Sequence, residues 1–75
     1  MKLHQLRYLV SVADSDLNIT AAAKALHTSQ PGVSKQLKML EDELGFRIFV
    51  REGRALVRVT TPGEKVIARA RHIVR

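Results

Sequence analysis

Apolar residues recur every three or four positions in the first part of the chain, which is the spacing of amphipathic helices. The first such stretch covers residues 3–13 and ends at a polar Asp-Ser-Asp run. The second begins behind Asn18, a favourable N-cap, and stops at His27. The third begins behind Ser29 and stops at Gly45. The pattern therefore predicts three helices separated by short turns.

The periodicity changes after the third helix. Two β-prone runs follow, at 48–50 and 56–60, and the five residues between them predict a hairpin turn. A fourth amphipathic helix comes next, and local capping rules place its N-cap at Thr61, with Glu64 reaching back to it. Its apolar positions are Val66, Ile67, Ala70, Ile73 and Val74. Because this pattern continues to the last residue, we expect a piece of a longer protein, cut within a helix.

The order of these elements is typical of a winged helix-turn-helix, a mainly α fold of three helices and a two-stranded β wing. We predict this domain over residues 1–60, with the helix-turn-helix motif at about 19–38 and the wing at about 47–60. Residues 61–75 are predicted to form the N-terminal part of a linker helix.

Positive charge is concentrated toward the C-terminal end. The 75 residues carry a formal net charge of +6. Residues 1–46 hold equal numbers of acidic and basic side chains, so residues 47–75 hold the whole excess. A basic balance of this kind indicates a nucleic-acid partner, and a merely solvated basic surface is the alternative.

Other classes of function find little support. The chain has no cysteine, so disulfides and thiolate metal sites are excluded. Its histidines lack metal-ligand spacing, and its four glycines are dispersed. No apolar run approaches the roughly 20 residues of a membrane span. We expect no catalytic residue, metal or cofactor in this chain, no membrane partner and a cytoplasmic location.

The predicted third helix has the features of a DNA-recognition helix. Its exposed side carries lysines, and Gln30 projects from its start, where side chains can reach base edges. The candidate DNA-binding residues here are Thr28, Ser29, Gln30, Pro31, Ser34, Lys35 and Lys38. The alternative is that the lysines are solvated, with Lys38 paired to Asp42 one turn later.

The predicted wing supplies the second set of candidates, Arg51, Gly53 and Arg54. Arginine is drawn into the narrow, strongly negative minor groove of A·T-rich DNA. The alternative for the tip is an exposed charged turn that discourages strand aggregation. For Arg51, an ion pair with Glu41 is an equally open alternative.

Taken as one ordered set, these motifs resemble the LysR-type transcriptional regulators. The resemblance is carried by Leu6-Arg7-Tyr8, Ala22-Ala23, Leu26, Ser29-Gln30-Pro31, Val33-Ser34, Leu40-Glu41, Leu44-Gly45, Phe49, Arg51, Thr60 and Gly63. Within that family, residues 17–20, 28–36 and 39–45 resemble the CysB branch, the cysteine-regulon regulators of bacteria.

The resemblance implies a winged helix-turn-helix, a linker helix that pairs two chains, and an effector-binding domain absent from this chain. It implies that Ser29, Gln30, Pro31, Ser34 and Lys35 face double-stranded DNA, and that the turn at 53–54 approaches the minor groove. It further implies control of sulfur assimilation, with an acetylated serine as the inducer bound by the full-length protein.

Two positions depart from the family pattern. Most members carry Gly where this chain has Leu17, so we expect the turn there to be built without a positive φ. Family alignment makes Thr60 the cap of the linker helix, whereas local rules favour Thr61, and the two alternatives stay open.

The expected partner is an A/T-rich interrupted palindrome of double-stranded DNA, bound by a homodimer that becomes a tetramer in the full-length protein. The dimer contact is predicted along the apolar positions of the fourth helix, which are Val66, Ile67, Ala70, Ile73 and Val74. A basic RNA-binding domain and a pure dimerisation module built on residues 62–75 are the competing interpretations.

Overall fold

The computed structural model describes residues 1–74 and confirms the predicted winged helix-turn-helix architecture. The elements are α1 (Leu3–Asp14), α2 (Ile19–Ala25), α3 (Gln30–Leu44), β1 (Phe49–Glu52), β2 (Ala55–Val59) and α4 (Thr61–Val74). Arg75, the last residue of the predicted linker helix, lies outside the described residues.

A single apolar core joins the helices to the base of the wing. Its largest fully buried side chains are Leu9, Val12, Val33, Leu37, Leu40, Ile48 and Phe49. They come from the three-and-four spacing on α1 and α3 and from the run that enters the wing. In α2, Ala22 and Ala23 are buried, and their small size lets this helix lie close to α3.

The first part of α4 belongs to the same core, because it packs along α1. Ile67 and Ala70 are buried there, at 7% and 1% exposure. Val66 and Val74 are half-buried against the same core, and Ile73 is 58% exposed. Ile67 and Ala70, two of the positions predicted for a dimer contact, are therefore covered by this chain's own core, and a dimer contact along α4 stays a prediction.

Gly63 sets how closely α4 approaches the wing. A Cβ at this position would lie 2.4 Å from the carbonyl oxygen of Ile48 and 2.9 Å from its Cα. Backbone atoms cannot give way as a flexible side chain can, so the close approach requires glycine here.

The N-cap of α4 is Thr60, as the family alignment predicted. The Oγ1 of Thr60 accepts a hydrogen bond from the N–H of Gly63 at 3.0 Å, and its hydroxyl donates to the carbonyl oxygen of Arg47 at 2.6 Å. Thr61 is the first helical residue, so the cap chosen by local rules is wrong. The bond to Arg47 ties the cap to the loop that enters the wing.

The turn between α1 and α2 contradicts the expectation for Leu17. Asp16 and Leu17 both have positive φ, at 53° and 63°. The N–H of Leu17 donates to the carbonyl oxygen of Val12 at 3.0 Å, which closes the C-terminus of α1 by reversing the chain. The Leu17 side chain is half-buried against the core, and this contact compensates for the left-handed backbone.

The turn between α2 and α3 is a Schellman motif. The N–H of Thr28 donates to the carbonyl oxygen of Ala23 at 3.0 Å, and that of His27 donates to Lys24 at 3.2 Å. His27 occupies the left-handed position of this motif, with a φ of 56°. The motif stops α2 and turns the chain directly into the N-cap of α3.

The wing is an antiparallel hairpin with a tighter turn than the pattern predicted. Arg51, Glu52 and Ala55 belong to the strands, and the turn is only Gly53-Arg54, with a φ of 60° at Gly53. The register shifts by one residue, which leaves Val57 as the extra residue of a bulge on β2.

Candidate nucleic-acid interface

The N-terminal end of α3 is capped as predicted and is open to solvent. The Oγ of Ser29 accepts a hydrogen bond from the N–H of Gly32 at 3.0 Å, and Pro31 occupies the first turn, where its missing N–H costs nothing. Gln30 and Pro31 are both exposed. Pro31 has no N–H and those of Gly32 and Val33 are bonded to Ser29, so this end of the helix offers the N–H of Gln30 and a free amide side chain to a ligand.

Along α3, the predicted division between a core face and a polar face is observed. Val33 and Leu37 are buried, whereas Lys35 and Lys38 are exposed and Ser34 is half-buried. Within residues 1–74 neither lysine takes part in an ion pair, so the alternative pair of Lys38 with its neighbour one turn later does not form.

A groove of about 430 Å³ lies between the start of α3 and the tip of the wing. It is lined by Ile19, Gln30, Pro31, Ser34, Leu37, Lys38, Arg51, Gly53 and Arg54. The fold thus brings the two separately predicted sets of DNA-binding candidates to one surface. Thr28, Ser29 and Lys35 belong to the same end of α3 but do not line this groove.

Ile19 also lines this groove, although it is not among the predicted DNA-binding residues. It is half-buried, and it sits at the first position of the helix that follows Asn18. No local signal in the sequence distinguishes it from the other apolar positions of α2, because its place in the groove depends on how α2 packs against α3.

At the wing tip, Gly53 and Arg54 are exposed, and the Arg54 guanidinium is not paired within the described part of the chain. The turn has only two residues, so the side chain of Arg54 stands at the outermost point of the hairpin. An unpaired arginine at an exposed hairpin tip is the kind of group that inserts into a minor groove of DNA.

Arg51 has a different role, because its guanidinium is bound to Glu41. Its Nη2 lies 2.7 Å from Oε1 of Glu41, and its Nη1 lies 3.2 Å from Oε2. The same Oε2 accepts the backbone N–H groups of Ile48 at 2.7 Å and Phe49 at 3.2 Å. The alternative in which Arg51 pairs with Glu41 is confirmed, and the pair joins α3 to β1.

Glu41 is charged in spite of its burial. Its side chain is 4% exposed, and burial by itself raises the pKa of a carboxyl group. The hydrogen bonds from Arg51, Ile48 and Phe49 outweigh that effect and hold the pKa of Glu41 below its ordinary value. The positive charge of Arg51 is therefore largely neutralised, and Arg54 and Lys38 carry the free positive charge of the groove.

The far end of α3 is acidic and does not share this character. Asp42 and Glu43 are exposed there, and Glu43 lies 2.8 Å from the amino group of Met1. A polyanion would be attracted to the N-terminal half of α3 and repelled by its C-terminal end. The charge distribution along α3 therefore favours an approach of a polyanion to its N-terminal half.

The described residues offer neither a cluster of metal ligands nor a membrane-spanning helix. Within residues 1–74, no three His, Cys, Asp or Glu side chains lie close enough together to hold a metal ion. Over the same residues, none of the helices has the length and apolar character required to span a bilayer.

Comparison with known proteins identifies the family. The model of a family described as "Bacterial regulatory helix-turn-helix protein, lysR family" matches residues 3–64. The HTH-type transcriptional regulator CysB of Haemophilus influenzae is 53% identical over 74 residues, which cover 99% of this chain and 23% of that protein. CysB of Burkholderia cenocepacia is 47% identical over 75 residues, which cover 100% of this chain and 24% of that protein. The chain thus spans about a quarter of the length of these curated relatives.

The fold comparison agrees with the sequence comparison. The crystal structure of a CbnR_DBD-DNA complex is similar with a TM-score of 0.89 and 38% sequence identity, and the match covers 99% of this chain and 83% of that one. A family match over most of the chain, together with the relatives above, settles its membership. The chain belongs to the lysR family of bacterial regulatory helix-turn-helix proteins.

Proposed function

We propose that this chain is the sequence-specific, double-stranded-DNA-binding domain of a bacterial transcription regulator, and that it acts by binding and without catalysis. The observation that carries the proposal is the groove that joins the start of α3 to the wing tip, with Gln30, Lys38 and Arg54 on its walls. The likeness to the CbnR_DBD-DNA complex supports the same conclusion.

In this proposal α3 lies in the major groove of DNA. The major groove of DNA admits one α-helix, and the exposed face of α3 carries groups that match base edges. Gln30 can bond adenine through two hydrogen bonds, and Lys35 or Lys38 can bond the O6 and N7 atoms of guanine. The N–H of Gln30 and the hydroxyl of Ser29, which can still donate its hydrogen, suit a phosphate.

The wing then enters the neighbouring minor groove through Arg54. An A·T-rich minor groove is narrow and strongly negative, so an unpaired arginine at a two-residue turn is attracted to it. Arg51 contributes to this contact through its bond to Glu41 rather than as a free cation.

The regulon and the assembly are part of the same proposal. Relatives named CysB support control of sulfur assimilation and cysteine biosynthesis genes in the cytoplasm. An acetylated serine is the proposed inducer, bound by the part of the protein outside this chain. The exposed side chain of Ile73 supports a homodimer through α4 on an A/T-rich interrupted palindrome, and a tetramer of the full-length protein.

Fluorescence anisotropy against three probes tests the proposal. The probes are an A·T-rich interrupted-palindrome duplex, its scrambled version and an RNA hairpin, each at about 50 and 200 mM salt, where phosphate contacts dominate the change. We expect a preference for the palindrome that survives the higher salt. Equal binding to all three, lost at the higher salt, would mean that only the basic charge is acting. RNA stacking has less support, because Phe49 is buried and Tyr8 is half-buried, so Phe46 is the one exposed Phe or Tyr ring among the described residues.

A further inference from the structure

The wing is attached to the domain at two levels. At its base, Ile48 and Phe49 are buried in the core and hold the start of β1. Beyond the bulge at Val57, the cross-strand partners Arg51 and Leu56 are the last pair whose side chains are not exposed, because Glu52 and Ala55, the pair next to the turn, are both exposed. The outermost attachment of the tip to the domain is therefore one cross-strand pair, of which one member is apolar and the other is an arginine.

The partner of that arginine lies on the helix proposed to read DNA. Glu41 follows Lys38 by three residues on α3, so its side chain is one turn from an exposed residue of the reading face. Its carboxylate accepts two hydrogen bonds from Arg51 and two from the backbone at the start of β1. One buried group thus connects the helix proposed to read DNA to the base of the wing and to Arg51, which lies one cross-strand pair below the tip.

We propose that Glu41 is a positioning residue for DNA recognition. By holding Arg51 in a bidentate bond, it sets the place of Arg54 at the wing tip relative to the exposed face of α3. This inference rests on the proposed function. It adds that the preference of the wing for particular flanking sequences depends on Glu41, a residue that touches no DNA.

If Glu41 acts only through its charge, Glu41→Gln should change the affinity for DNA in one direction. If Glu41 positions the wing, the change should be in the opposite direction. Removing a carboxylate makes the domain more positive, so charge alone predicts tighter binding to every duplex. Positioning predicts weaker binding that is confined to duplexes with A·T-rich flanks, because the glutamine cannot hold both nitrogens of Arg51. Asp42→Asn is the matched control, since it removes the same charge from the next residue, which is exposed.

The first measurement uses the free protein and needs no DNA. Backbone ¹⁵N order parameters of the Gly53 and Arg54 amides report the mobility of the wing tip. We expect order parameters of about 0.85 in the unaltered protein and in Asp42→Asn, and a decrease to about 0.6 in Glu41→Gln. Unchanged order parameters in Glu41→Gln would overturn the proposal whatever the domain binds.

The second measurement compares the dissociation constants of two duplexes with one palindromic core, flanked by A·T-rich or G·C-rich sequence. We expect Asp42→Asn to keep the flank ratio of the unaltered protein and Glu41→Gln to reduce it to about one, as Arg54→Ala does. A ratio retained in Glu41→Gln, with tighter binding throughout, would reduce Glu41 to its charge and overturn the proposal.

Folding and function are separated by two checks. Arg51→Lys keeps the positive charge and one bond to Glu41, so it offers a folded variant with a looser wing if Glu41→Gln unfolds, and it is expected to lower the flank ratio partway. If the unaltered protein prefers no duplex while Glu41→Gln still loosens the tip, the proposed function fails, and only the structural part of the inference stands, namely that Glu41 holds the wing tip in place.

Discussion

Glu41 on α3 and Arg51 on β1 form a two-point ion pair, with nitrogen–oxygen distances of 2.7 and 3.2 Å. The side chain of Glu41 is 4% exposed and that of Arg51 is 16% exposed. A pair this well buried repays its desolvation only when its remaining oxygen positions are also hydrogen-bonded. The N–H groups of Ile48 and Phe49 provide those bonds, so the pair is complete and the loss of either partner leaves a buried charge.

Acid is expected to destabilise the domain through Glu41. The pKa of this carboxyl is lower in the folded chain than in the unfolded one, so the unfolded chain binds more protons at low pH. The stability that Glu41 contributes is complete above the ordinary glutamate pKa of about 4.3 and is lost as the pH falls through the lower pKa of the folded state. Urea unfolding from pH 7 to pH 3 measures this loss.

Glu41→Gln should flatten that pH profile and should cost roughly 3 kcal/mol at pH 7, the lower end for a broken buried pair, because Arg51 keeps some contact with water. Asp42→Asn, on the exposed neighbour, should leave both the profile and the stability close to those of the unaltered protein. Equal profiles for the two variants would contradict the assignment.

The two adjacent threonines at the start of α4, Thr60 and Thr61, should differ in how much they contribute to stability. Thr60→Ala removes the acceptor for the N–H of Gly63 and the donor to the carbonyl of Arg47, so we expect a loss of about 1–2 kcal/mol in the free energy of unfolding. Thr61→Ala removes neither bond and should change it by less than about 0.5 kcal/mol. Thermal unfolding of both variants checks this, and a larger loss for Thr61→Ala would place the cap where local rules put it.

The sequence predicts most elements because their signals are local. The apolar spacing on α3, the cap at Ser29 and the stop at Gly45 each depend on a few neighbouring residues, and the structure contains all three. The sequence predicts the position of the wing turn but gives it five residues, whereas the observed turn has two, Gly53 and Arg54. The shorter turn is possible because Gly53 supplies the positive φ that it needs.

What the sequence could not predict depends on distant contacts. An apolar stripe on α4 shows that something covers it, but not whether the cover is α1 of the same chain or a second chain. The left-handed backbone of Leu17 likewise depends on distant contacts. Its side chain packs against the core at the end of α1, and this packing offsets the backbone strain. Of the groove residues, Ile19 reaches the surface only through the crossing of α2 over α3.

Glycine at position 27 should stabilise the domain. His27 is exposed and has a φ of 56°, which costs an L-residue about 1 kcal/mol relative to glycine. We therefore expect His27→Gly to raise the free energy of unfolding by somewhat less than that amount, since glycine also gives the unfolded chain more freedom. Ala25→Gly, two residues earlier and in the right-handed helix, should instead lower it by about 1 kcal/mol. Chemical denaturation of the two variants reads the sign directly.

Removing the wing arginine should weaken binding in a salt-dependent way. Under the proposed function, Arg54→Ala removes one free cation from the DNA contact, so the slope of log K against log salt should fall by about one. The loss should be greatest on duplexes with A·T-rich flanks. Titrations at four salt concentrations measure the slope, and Arg58→Ala, on the exposed part of β2, is the control for loss of charge alone. An unchanged slope would mean that Arg54 makes no contact with DNA and is only a solvated residue at the tip of the wing.

Gln30 should determine base preference rather than overall affinity. Its amide is exposed at the start of α3 beside Pro31, where it can form two hydrogen bonds to an adenine in the major groove. Gln30→Ala is therefore expected to cost about 1–3 kcal/mol on the matched duplex and much less on a scrambled one. Lys35→Ala serves as the comparison, since a contact with phosphate would lower both affinities by a similar factor. Equal losses on matched and scrambled DNA for Gln30→Ala would exclude it as a base-reading residue, and the preference would then have to come from the lysines or from the shape of the DNA.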